Sequence, residues 1–127
     1  MSAIVKACQS GAVHATAALV VASAPGSDAE ALALSLGVPT SVVEPGEAYG
    51  SRLVEVLSEC DWLCLAGFLR ILPKEVLGRF PDRVLNIHPS LLPKFGGKGM
   101  YGHHVHDAVI AARETESGCT VHFVNDS

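Results

Sequence analysis

Asn86 and His88 stand two residues apart at the end of the apolar stretch "VLNIH", with Pro89 directly after them. On an extended segment that spacing puts both side chains on one face. A proline ends regular pairing there, so the pair is aimed beyond a strand end. An Asn amide donates to a developing oxyanion, and an imidazole gives or takes a proton near neutral pH. Together they suit addition to a carbonyl carbon, in which charge collects on oxygen and a proton has to move. The bland alternative is an Asn that satisfies loop backbone and a His that caps the strand. Spacing alone leaves both open.

Other residues invite weaker readings. In "GHHVHDA", His103 and His106 are three apart and could share a helix face. No acid or cysteine stands at a convincing companion spacing, so no metal is expected. The glycines of "KFGGKGMYG" fit neither the dinucleotide nor the Walker pattern between a strand and a helix; a loop beside the site is the simpler reading. In "GFLRIL", Gly67 follows an apolar strand and allows a flat ligand close to backbone. Arg70 is an anion or stacking partner, or a surface charge.

These residues must be positioned by an alternation of helical and strand-like segments. "SAIVKACQSG" places Ala3, Ile4, Ala7 and Cys8 on a helical face and ends at Gly11. "TAALVVASA" and "VPTSVVE" read as short strands around a helix that starts at Ser27 or Asp28 and ends at Gly37. A helix over 47–59, a strand in "DWLCLAGF", a short helix opening at Pro73 and a strand in "RVLNIH" follow. "GHHVHDAVIAARETESG" supplies another helix and "CTVHFVND" a last strand. Near-continuous apolar strands between helices predict an open α/β fold with a mostly parallel sheet. In such sheets ligands bind beyond the carboxyl ends of the strands.

Composition supports one packed domain over 1–127: the chain has 127 residues, of which 49% are hydrophobic and only 17% charged. A net charge of −4 without a basic stripe argues against nucleic acid as a partner. No apolar run is long enough to span a bilayer, and the N-terminus lacks the pattern of a secretory signal. Four cysteines at irregular spacing are expected to be buried thiols rather than disulfides. A cytoplasmic enzyme or binding protein is the default.

The segments "LAGFLRILP", "LNIHPSLLPKFGGKGMYG" and "GCTVHFVND", in this order, resemble the folate-dependent formyltransferases, in particular the phosphoribosylglycinamide formyltransferases. The resemblance covers nearly the whole chain. It implies a Rossmann-like sheet and transfer of a formyl group from the co-substrate 10-formyltetrahydrofolate to the amine of phosphoribosylglycinamide, with no metal. Asn86 and His88 match the catalytic Asn and His, and Asn86 also touches the folate. Leu69, Arg70, Ile71 and Leu72 match the segment lining the pterin pocket; Gly67, Ile87 and Pro89 match positions beside the ribotide. His104 and His122 match positions in the site wall and the last strand. By the same resemblance the family's first strand, phosphate loop, catalytic Asp and C-terminal part fall outside 1–127. The domain is therefore expected to be incomplete, to turn over weakly or not at all by itself, and to self-associate through exposed sheet edges. A folate-binding domain without activity and a formyltransferase for another amine are the alternatives.

Overall fold

Helices and strands alternate along the chain as the hydropathy pattern implies. The computed structural model describes residues 1–68, 70–88, 91–94, 96 and 103–125. They fall into two units, Met1–Cys60 with Pro73–Arg79, and Asp61–Leu72 with Phe80–Ser127.

The first unit begins with α1 (Ser2–Ser10), which Gly11 ends in a left-handed conformation with its N–H bonded to the Cys8 carbonyl. Ile4, Ala7 and Cys8 of the expected face are half-buried, but Ala3 is exposed and the buried residue is Val5, with Met1 packed beside it. The neighbours decide this, because Val5 packs into one cluster with Ala33 and Val38. The valines of β1 (Val20–Ala22) pair in parallel with β2 (Thr40–Val42). Between them runs α2 (Asp28–Ser35), whose start and end are both fixed locally. Ser27 Oγ accepts the Glu30 N–H at 3.2 Å, and Asp28 and Glu30 place negative charge in the first turn. At the other end the Gly37 and Val38 amides bond back to the Leu34 and Ala33 carbonyls, the Schellman arrangement. This closing turn also delivers Val38 to the core beside Ala33.

The unit is completed by α3 (Tyr49–Val56) and α4 (Lys74–Arg79). Gly50 looks like a helix weakener by propensity, but it is buried where these two helices meet. A Cβ at this position would lie 3.0 Å from the Pro73 Cβ. Arg79 Nη2 donates to the Ser58 carbonyl at 2.8 Å and satisfies backbone just past the end of α3.

In the second unit β3 (Leu63–Leu65) and β4 (Val84–His88) pair in parallel, and β5 (Thr120–Phe123) pairs antiparallel to β4, giving the order β3-β4-β5. The fold is thus the open α/β arrangement expected, with one antiparallel strand that hydropathy did not distinguish. On α5 (His103–Ala111), Val105 and Val109 are buried at the i, i+4 spacing of one helix face. Phe80, Val84 and Val105 are fully buried. The cysteines correct the sequence reading: Cys8 and Cys60 are half-buried, but Cys64 and Cys119 are exposed. Among the described residues no helix is long and apolar enough to cross a membrane.

Replacing Ser27 with Ala is expected to destabilise the protein by about 1 kcal/mol through the lost cap, while Ser27→Asp preserves stability. Denaturant midpoints of the full-length variants check this, and equal midpoints for the Ala and Asp variants would refute it.

Candidate functional site

The site is built on β4. Residues 84, 86 and 88 alternate with 85 and 87, so Asn86 and His88 share the face of the buried Val84 and are half-buried there. Ile87 projects from the opposite face and is 48% exposed; only its backbone lies on the Asn86 side. Because β3 runs parallel to β4 with Leu65 beside Asn86, both strands end at the same edge. The chain leaves β3 at that edge through Ala66 and Gly67.

Across β4, the antiparallel register sets His122 opposite Asn86 and Thr120 opposite His88. The Val124 N–H bonds to the Val84 carbonyl, and hydrogen-bonded pairs alternate in such a ladder. Asn86 and His122 are therefore a hydrogen-bonded pair with their Cα atoms about 5.5 Å apart. Their side chains meet: Asn86 Nδ2 lies 3.3 Å from His122 Nε2. His122 Nδ1 lies 3.0 Å from the carbonyl oxygen of Phe123.

Thr120, which the sequence reading did not single out, borders the candidate pair. Its hydroxyl accepts the Leu92 N–H at 3.1 Å, which brings the chain beyond β4 back onto the start of β5. The signal was present, since Thr120 stands two residues before His122 and must share its face. What could not be read was that this face lies against His88. Lys94 and Glu114 pair at 2.9 Å and join the same loop to the segment after α5.

The remaining candidates differ in exposure. Leu72 is buried, whereas Arg70 is exposed and Ile71 is 95% exposed. Leu69 and Pro89 lie outside the described residues, as do most of the glycine loop and the side chain of His103. His104 is exposed on the first turn of α5, and His106 is exposed on the same helix. Among the described residues no three His, Cys, Asp or Glu side chains are grouped to hold a metal ion.

Gly67 has a φ of +69°, and among the described residues a Cβ there would meet nothing within 4 Å. That left-handed φ is a conformational requirement, met in the turn by which the chain leaves β3. Gly67→Ala is expected to lower stability by about 1–2 kcal/mol, the penalty of a left-handed backbone for an L-residue. Denaturation of the full-length variant measures it, and an unchanged midpoint would remove the argument.

Comparison with known proteins gives these features a context. The pattern of the formyl transferase family matches residues 1–127. The chain is 42% identical over 127 residues to a phosphoribosylglycinamide formyltransferase, chloroplastic, of Arabidopsis thaliana, covering 94% of this chain and 44% of that protein. It is 33% identical to the phosphoribosylglycinamide formyltransferase of Haemophilus influenzae, covering 99% of this chain and 60% of that one. The crystal structure of glycinamide ribonucleotide transformylase 1 from Symbiobacterium toebii superimposes with a TM-score of 0.88 at 32% identity, over 98% of this chain and 60% of that one. The chain thus spans about half the length of these two curated relatives. Matched from end to end by the family pattern and sharing the Rossmann-like fold of a solved transformylase, it belongs to the formyl transferase family.

Proposed function

We propose that the chain takes part in transferring a formyl group from 10-formyltetrahydrofolate to the amine of phosphoribosylglycinamide, in purine synthesis. The observation that carries the reading is the strand-end pair Asn86 and His88 on one face of β4, with Asn86 Nδ2 3.3 Å from His122 Nε2 on the adjacent strand. The names of the relatives support the same substrates.

In this reading the amine nitrogen attacks the formyl carbon, and the carbonyl π electrons move onto oxygen. An N–H of Asn86 donates to that oxygen, where the negative charge develops. As the oxygen electrons re-form the carbonyl and the old carbon–nitrogen bond breaks, His88 supplies a proton to the folate nitrogen, and the proton lost by the attacking nitrogen returns to the His88 ring. Residues 69–72, including Arg70 and Ile71, receive the pterin, chiefly through backbone; Gly67, Ile87 and Pro89 lie along the ribotide, and His104 forms part of the wall. The whole of 1–127 acts within one formyltransferase domain in the cytoplasm, and its partners are small molecules. Val121 and Phe123, 60% and 57% exposed on β5, are the residues through which an edge would self-associate.

The test is a folate-product assay on the full-length protein with both substrates. His88→Ala is expected to lower kcat by about 10²- to 10⁴-fold. Wild-type turnover in that variant would overturn the assignment of His88. Folate binding without any transfer by the unmodified protein would overturn the activity itself, and preferential transfer to another amine would overturn the acceptor.

A further inference from the structure

His122 holds Asn86 through a chain of two hydrogen bonds whose directions are chemically fixed. The Phe123 carbonyl can only accept, so the His122 Nδ1 that lies 3.0 Å from it carries the hydrogen. In the neutral ring Nε2 is then a bare lone pair. Only the NH2 end of the Asn86 amide, and not its Oδ1, can bond to that lone pair at the observed 3.3 Å. The β5 backbone thereby selects the tautomer of His122, and the tautomer selects the orientation of the amide. An amide nitrogen has two N–H donors, so one remains for a ligand.

An asparagine at a reacting centre needs such a partner. Its terminal torsion is broad and roughly twofold, and a half-turn exchanges donor for acceptor. Equal occupancy of the two orientations would lower the competent fraction only about twofold. Position matters more, since a misplacement of about 1 Å is worth up to about 10²-fold in rate. The partly buried contact from the adjacent strand restrains both.

We infer that His122 is a positioning residue: in its Nδ1–H form it orients the Asn86 amide so that the second N–H is presented to the formyl oxygen. The inference rests on the proposed formyl transfer and assigns His122 a role within it. His122 itself touches neither substrate. Because the oriented N–H acts on charge that appears only in the transition state, the effect falls on kcat and not on KM.

The experiment uses the full-length protein and has two arms. In the kinetic arm, His122→Phe is expected to lower kcat at least tenfold with KM unchanged. His122→Gln, whose Oε1 can accept in place of Nε2, is expected to recover most of the loss. In the Asn86→Ala background, itself expected to be slower by about 10²- to 10³-fold, adding His122→Phe changes nothing further, since the two act as one unit. Additive losses, or a His122→Phe effect on KM alone, would overturn the inference. In the second arm, ¹⁵N spectra of the unmodified protein are expected to show the hydrogen of the neutral His122 ring on Nδ1, with Nε2 bare. A hydrogen on Nε2 with Nδ1 bare would overturn it whatever the activity. If Asn86→Ala turns over like the unmodified protein, the catalytic reading of Asn86 fails instead, and the spectra still decide whether His122 holds the amide.

Discussion

The site depends on the register between β4 and β5. Because side chains alternate along a strand, a slip of one residue would place Val121 or Phe123 opposite Asn86. The amide would then face an apolar side chain, and His122 would turn to the other side of the sheet. The register is held by the ladder itself, continued past the strand by the Val124 to Val84 bond. It is reinforced where the loop after β4 donates from Leu92 to Thr120. The Lys94–Glu114 pair adds little: with 67% of the lysine exposed, such a contact is worth about 0.2–1 kcal/mol.

The same alternation divides the sheet into two unlike faces. Val84, Asn86 and His88 lie on one, at which Val84 is fully buried and the polar pair half-buried. Ile87, Val121, Phe123 and Cys64 lie on the other and are exposed. The polar groups able to do chemistry are therefore the more sheltered ones, which favours strong electrostatic interaction with a bound substrate. Parallel pairing of β3 adds the chain after Gly67 to the edge at which Asn86 and His88 stand. An antiparallel β5 adds its first residue, Thr120, to that edge as well.

Much of the framework was legible in the residues because its signals are local. Gly11 marked the end of α1, Ser27 the start of α2, and the valines of β1 a buried strand, each within a few positions of the feature it specifies. Gly50 shows where local reading fails, since its small size answers to Glu75 of a different helix and to Pro73 just before that helix. The exposure of Cys64 and the burial of Val5 rather than Ala3 likewise depend on which face a neighbour covers. Apolar character alone does not say which.

For the site, the sequence by itself determined that Asn86 and His88 share a face at a strand end, because the two-residue period of a strand and the stop imposed by Pro89 are properties of adjacent residues. Its motifs also pointed to the formyltransferase family. Only the tertiary structure decided that the last strand runs antiparallel and that His122, 36 residues further along the chain, meets the Asn86 amide. The physical reason is that strand direction and register are set by long-range pairing and by turns that carry no signature in either strand. Once that pairing exists, the carbonyl of Phe123 and the lone pair of His122 leave the amide one orientation.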